Sequence, residues 1–186
     1  MKLTISGNAD KTLQNTAFHG NLRGEISMVR VLFVCHGNIC RSPMAEFIFK
    51  DMVKNQGLEA QFVIASAATS TEEIWNGIGN PVYPPAREEL ARHGISCKGK
   101  RAVQLQKKDY DKYDYLLGMD DWNMGNIQRI VGKDPDKKIF KLLEFAGSNR
   151  DIADPWYTGN FSATYADILE GCEGFLRTLK EEKKIF

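Results

Sequence analysis

The sequence predicts one α/β domain built on a parallel sheet with helices on both faces. Three observations lead there: an apolar β-branched run from Val29 to Val34, an alternation of strand and helix patterns after it, and a loop that passes from the first strand into a helix without a spacer. At 186 residues the chain fits a single domain large enough to bury its own core.

Val29-Arg30-Val31-Leu32-Phe33-Val34 is apolar enough for a strand buried on both faces. After Pro43, suited to a first helical turn, Met44, Phe47, Ile48, Met52 and Val53 recur at helical spacing until Gly57. Further strands are expected over Phe62 to Ala65, Tyr113 to Met119 and Lys138 to Leu143. Helices are expected over Pro85 to His93, Asp121 to Val131 and from about Ser162 to Glu182. Right-handed crossovers join such units, and ligands then sit beyond the carboxyl ends of the strands, where Cys35 lies. Met1 to Ser27 shows no periodic face and reads as a disordered appendage, whether a tag, a misassigned start or a genuine extension, so the domain is placed at 28–186.

Composition narrows the function. The 25 basic and 24 acidic side chains nearly cancel, and the basic stretches Lys98 to Arg101 and Lys137 to Lys141 are short, which argues against a nucleic-acid surface. No apolar run has the length of a membrane span, and the N-terminus lacks a secretory signal, so a cytoplasmic location is expected. The four cysteines, 35, 40, 97 and 172, form neither a disulfide framework nor a C-x-x-C zinc pattern and read as thiols in a reducing compartment. No metal and no cofactor is expected.

The chemistry concentrates in Cys35-His36-Gly37-Asn38-Ile39-Cys40-Arg41-Ser42-Pro43. A loop entering a helix aims successive backbone N–H groups at one point, and the helix dipole adds to their field. That field holds a phosphate-like anion and favours a thiolate over a thiol. Gly37 lets the backbone pass close to a ligand, Arg41 offers a planar fork to two phosphate oxygens, and Ser42 can hydrogen-bond the sulfur. Five residues between Cys35 and Arg41 curl both groups around one tetrahedral anion, which favours a nucleophile over a buried structural thiol. The G-x-x-x-x-G-K-[ST] nucleotide loop is absent.

These residues resemble the C-x5-R-[ST] signature of the low-molecular-weight protein tyrosine phosphatases. The likeness continues through Ser66-Ala67-Ala68-Thr69-Ser70, Gly118-Met119-Asp120 and Asp154-Pro155-Trp156 to the final helix. It implies a three-layer sandwich around a four-stranded parallel sheet, and hydrolysis of phosphotyrosine in proteins through a cysteinyl phosphate. Cys35 is then the nucleophile, Arg41 the phosphate clamp and Asp154 the general acid and later base, while Asn38 braces the loop with help from Ser66. Tyrosine-phosphorylated proteins would be substrates, with phosphate and other oxyanions as ligands. His36 and Ile39 occupy variable loop positions facing substrate, and Trp156, Tyr157 and Trp75 would wall a slot for the aromatic ring, with ordinary packing as the alternative for each. In this family the second loop cysteine, here Cys40, is associated with a reversible protective disulfide. Cys97 and Cys172 are expected to pack as small apolar residues.

Two related activities are disfavoured on the same comparison. Thioredoxin-coupled arsenate reduction needs two further cysteines after the second strand, where Cys97 stands alone, and arginine phosphatases tend to carry Thr where Ile39 lies. Where many members have a His in G-H-[RK]-[AS]-R, this chain reads Gly99-Lys100-Arg101-Ala102-Val103, and Lys100 is expected to partner Asp120 in that residue's place.

Overall fold

The structure, a computed structural model, describes residues 28–186. The expectation of a disordered appendage at Met1 to Ser27 lies outside the described residues. In chain order the elements are β1 (Val29–Cys35), α1 (Arg41–Asn55), β2 (Phe62–Ala68), β3 (Ile74–Trp75), β4 (Ile78–Gly79), α2 (Pro84–Arg92) and α3 (Asp109–Lys112), then β5 (Tyr115–Gly118), α4 (Asp121–Val131), β6 (Ile139–Lys141), α5 (Pro155–Thr158) and α6 (Phe161–Glu181).

The main sheet has the order β2-β1-β5-β6 with every pairing parallel. β1 is therefore interior and must be apolar on both faces. Val31, Phe33 and Cys35 enter the core beneath α1 and α6, and Leu32 and Val34 enter the smaller core that includes Leu116 and Ile127 of β5 and α4. This period-two division places the Cys35 side chain on the α1 side of the sheet. In register, Cys35 faces Ala68 and Val34 faces Gly118, so β1, β2 and β5 end together and their following loops share one rim.

The strand and helix alternation read from the sequence is present, with shifted limits. Tyr113 follows the short α3 instead of opening β5, and β6 stops at Lys141, where the Lys141 amide donates to Glu144 Oε1 at 3.1 Å and a 3-10 turn runs over Leu142–Ala146. The β3–β4 hairpin, α3 and α5 were not expected. The hairpin turns on Asn76-Gly77, whose φ values of 50° and 77° are those of a two-residue type I′ connection.

α6 closes one face by an unusually near approach to the 3-10 turn. A Cβ at Gly174 would stand 2.3 Å from the Phe145 carbonyl oxygen, and one at Gly171 would stand 2.6 Å from Leu142 Cγ. Both glycines hold α6 against the backbone that leads to Asp154. In an open helix, Gly→Ala stabilises by about 0.5–1 kcal/mol. At Gly174 the overlap is with backbone and reverses the sign: Gly174→Ala should destabilise by about 1–3 kcal/mol and lower the thermal midpoint by several degrees. Calorimetry reads this directly, and an unchanged or raised midpoint would refute the close approach.

Candidate active site

The loop between β1 and α1 is fastened from outside. The carbonyls of Cys35, His36 and Ile39 accept hydrogen bonds from the amides of Thr69, Ser70 and Tyr83, at 2.9 Å each. With those carbonyls turned outward, the amide N–H groups of Gly37, Asn38, Ile39 and Cys40 find no acceptor among the described residues. They lie in the turn that leads into α1, and unpaired amides at the start of a helix suit an anion.

Asn38 supplies the bend. Its φ of 56° is the loop's left-handed position, and at Gly37 a Cβ would stand 3.1 Å from Cγ of the Glu73 side chain, a tight approach. The Asn38 amide nitrogen donates to Ser42 Oγ and to Ser66 Oγ, both at 2.8 Å, and its oxygen accepts from the Val103 amide at 3.0 Å. Both residues expected to brace the loop, Asn38 and Ser66, thus lie behind it, fully buried and mutually bonded. Ser42 Oγ stands 3.0 Å from Cys35 Sγ.

Cys35, His36, Gly37, Ile39, Cys40, Arg41, Asp154, Trp156 and Tyr157 line one cavity of about 170 Å³. Arg41 is nearly buried, at 3% exposure. Its Nη1 donates to Asp120 Oδ2 at 2.5 Å and to the Ile152 carbonyl at 3.0 Å, and its Nη2 donates to Asp154 Oδ2 at 2.7 Å. Burial works against the Arg41 charge, but the Cys35 sulfur, Asp154 and Asp120 more than compensate, and its pKa lies above the ordinary guanidinium value. Asp154 also caps α5 by accepting from the Trp156 amide at 3.1 Å, which anchors the carboxyl over the cavity. Burial pushes the Cys40 thiol up, and the negative charges of Cys35 and Asp154 push it further, so Cys40 is a neutral thiol at neutral pH.

Two sequence expectations are corrected. Trp75 does not line the cavity: the Asn76-Gly77 turn carries it outward on the hairpin, where it is 71% exposed. Lys100 does not partner Asp120, which is taken by Arg41. Its ammonium instead lies 2.9 Å from Glu46 Oε2 and donates to the Ser66 carbonyl at 3.1 Å.

Three acidic residues of the site, Glu72, Glu73 and Glu46, escaped sequence reasoning, as did the contact of Asp120 with Arg41. Glu72 and Glu73 line the mouth, Glu72 pairing with His36 at 2.9 Å and Glu73 accepting from Asn80 at 2.7 Å. Nothing in the run Thr71-Glu72-Glu73 distinguishes these carboxylates from a solvated turn. The role of Asp120 in holding Arg41 could have been found from its place directly after β5 at the carboxyl edge of the sheet. Glu46 had a signal too, because Ser42, Glu46 and Lys50 are spaced four apart and share one face of α1.

Comparison with known proteins agrees with this geometry. The family model described as "Low molecular weight phosphotyrosine protein phosphatase" matches residues 30–185. The low molecular weight protein-tyrosine-phosphatase YfkJ of Bacillus subtilis is 41% identical over 160 residues, covering 85% of this chain and 100% of that protein. The crystal structure of YfkJ superposes with a TM-score of 0.78 at 42% identity, covering 84% of this chain and 98% of that one. A low molecular weight phosphotyrosine protein phosphatase of Schizosaccharomyces pombe is 36% identical over 156 residues, covering 81% of this chain and 97% of that protein. The crystal structure of the Drosophila arginine phosphatase DARP matches with a TM-score of 0.72 at 31% identity, covering 81% of this chain and 97% of that one. A family match that runs from the second residue of β1 nearly to the C-terminus, with relatives aligned along almost their whole lengths, makes the chain an enzyme belonging to the low molecular weight protein-tyrosine phosphatase family.

Proposed function

We propose that residues 28–186 form a catalytic domain that hydrolyses phosphotyrosine in proteins through a cysteinyl-phosphate intermediate. The observation that carries this reading is the convergence of Cys35, the Arg41 guanidinium and the Asp154 carboxyl on one cavity also lined by Gly37, Ile39 and Cys40, whose amides find no acceptor among the described residues.

The phosphate dianion enters the amide cradle and takes the Arg41 donor that Asp154 occupies in its absence. Cys35 Sγ attacks phosphorus in line with the tyrosine oxygen, forming the S–P bond as the P–O bond breaks. Asp154, released from Arg41, takes up a proton from solvent or from the incoming phosphate monoester and passes it to the departing phenolate. In the second step Asp154 takes a proton from water, the water oxygen bonds to phosphorus, and the thiolate departs. The Ser42 hydroxyl at 3.0 Å stabilises the sulfur's returning charge. Arg41 and the loop amides carry the charge stabilisation throughout, so the reaction draws on the chain's own donors.

Ile39, Trp156 and Tyr157 give the cavity an apolar and aromatic wall suited to an aryl ring. Tyrosine-phosphorylated proteins are therefore the proposed partners, with inorganic phosphate and similar oxyanions as competing ligands. The four free thiols fit a reducing, cytoplasmic setting, and among the described residues no helix is long and apolar enough to cross a membrane.

Turnover of p-nitrophenyl phosphate tests the chemistry. Cys35→Ser should abolish it, and Asp154→Ala should lower kcat by about 100-fold or more. An inactive wild-type enzyme, or an active Cys35→Ser variant, would end the reading. Activity in excess EDTA should equal that without it, and inhibition reversed by added divalent cation would place a metal in the mechanism. A phosphotyrosine peptide should exceed its phosphoarginine counterpart in kcat/KM, and the opposite order would favour the arginine phosphatase activity.

A further inference from the structure

Lys141 is the last residue of β6, and its backbone lies in register with Gly118 at the carboxyl end of β5. The residue is only 5% exposed, yet both partners of its ammonium stand at the surface: Nζ donates to Asp121 Oδ1 at 2.7 Å and to Asp151 Oδ1 at 2.8 Å. Burial opposes the charge, but the hydrogen bonds and charges of Asp121 and Asp151 more than offset it, and the Lys141 pKa lies above the ordinary lysine value. The Asp121 amide also donates to Asp151 Oδ1, at 3.2 Å, so one lysine closes a joint between two segments.

Each of those segments carries a carboxylate partner of Arg41. Asp121 follows Asp120 directly and opens α4, whereas Asp151 starts the run that ends at Asp154. The next two residues of that run are held in turn. The Ile152 amide donates to the Met119 carbonyl at 2.9 Å, the Ile152 carbonyl accepts from Arg41 Nη1 at 3.0 Å, and the Ala153 carbonyl accepts from Thr164 Oγ1 at 3.3 Å. Arg150 also ties the run to α6 through Asp167 and Glu170, but those pairs are open to solvent, where ion pairs contribute little. Lys141 differs, because its charge is buried and its loss leaves two carboxylates facing each other across the joint.

We infer that Lys141 is a positioning residue for the acid step: by clamping Asp151 against the segment that carries Asp120, its ammonium sets where the run 151–154 crosses the cavity, and with it the reach of the Asp154 carboxyl toward the leaving oxygen. The inference rests on the cysteinyl-phosphate reading above and adds to it a determinant of Asp154 that lies outside the cavity lining. Cys35, Arg41 and the loop amides are held by other contacts, so binding of the phosphate group does not depend on this joint.

The demand for an acid depends on the leaving group, and that supplies the test. A phenolate is a strong base and needs a proton as it departs, whereas p-nitrophenolate is a far weaker base and leaves readily without one. We compare kcat/KM for phenyl phosphate and p-nitrophenyl phosphate, per burst-titrated active site, in wild type, Lys141→Met, Lys141→Arg and Asp151→Ala. Asp151→Ala breaks the joint from its exposed side and leaves the core intact. Lys141→Met and Asp151→Ala should each lower the phenyl phosphate value about tenfold and the p-nitrophenyl phosphate value about threefold or less, with the inhibition constant of inorganic phosphate within about twofold of wild type. Lys141→Arg keeps the charge and should recover most of the phenyl phosphate loss. An equal loss on both substrates in either variant, or phenyl phosphate turnover by Asp151→Ala within about twofold of wild type, would overturn the inference. Wild-type turnover that depends on Cys35 and Asp154 in the same assays separates that failure from failure of the phosphatase reading itself.

Discussion

Three carbonyl groups decide what the loop after β1 can hold. Those of Cys35, His36 and Ile39 point away from the cavity because the amides of Thr69, Ser70 and Tyr83 bind them there. A peptide unit cannot turn its oxygen outward without turning its N–H the other way, so these three bonds turn the N–H groups of His36, Gly37 and Cys40 away from the outer anchors. The register of β1 with β2 makes this possible, since pairing of Cys35 with Ala68 delivers Thr69 and Ser70 beside the loop just as the strands end. The anion site is thus a consequence of the parallel sheet. A slip of one residue would leave the same loop sequence without its outer anchors.

The second constraint is charge balance at Arg41. A guanidinium at 3% exposure needs partners, and it has two carboxylates, Asp120 and Asp154, together with the Ile152 carbonyl. The two carboxylates differ in placement. Asp120 also caps α4 through the Asn123 amide and belongs to the rigid edge of the sheet. Asp154 caps the four-residue α5, packs beside the exposed Trp156 and Tyr157, and so sits in the part of the site that can yield. In the proposed mechanism one partner keeps Arg41 oriented while the other exchanges with phosphate, and the exchanging partner is the one that mechanism uses as acid and base.

Much of this could be read from the sequence. β1 was legible because a strand buried on both faces must be continuously apolar, and the loop was legible because Cys35, Gly37, Arg41 and Ser42 all fall within eight consecutive positions. Asp154 was legible only through a motif, since an Asp before a Pro is otherwise an ordinary turn. What escaped was set by tertiary geometry. The Asn76-Gly77 turn carries the familiar hairpin signal, yet flanking strands of two residues each are too short for periodicity to show, and Trp75 was assigned to the wrong side of them. Lys100 was assigned to the wrong carboxylate because two acidic groups, Asp120 and Glu46, lie on opposite sides of the loop, and only the folded backbone says which is within reach.

A buried carboxylate with lysine partners, as Glu46 is beside Lys100 and Lys50, is an expensive way to support a loop if support were the only requirement, since well-packed apolar side chains hold a core at least as stably as an ion pair does. An apolar brace, however, has no direction. Asn38 carries donors on one atom and an acceptor on the other, Ser42 and Ser66 can each rotate their hydroxyls, and packing alone leaves those rotors free to settle either way. An ionised Glu46 removes the choice at one end of the chain, and the Val103 amide removes it at Asn38. With both ends specified, Ser42 keeps its own hydrogen to give, with the Cys35 sulfur at 3.0 Å and the Ala67 carbonyl at 3.4 Å within its reach. The charge behind the loop therefore serves orientation more than stability, which accounts for burying it at all.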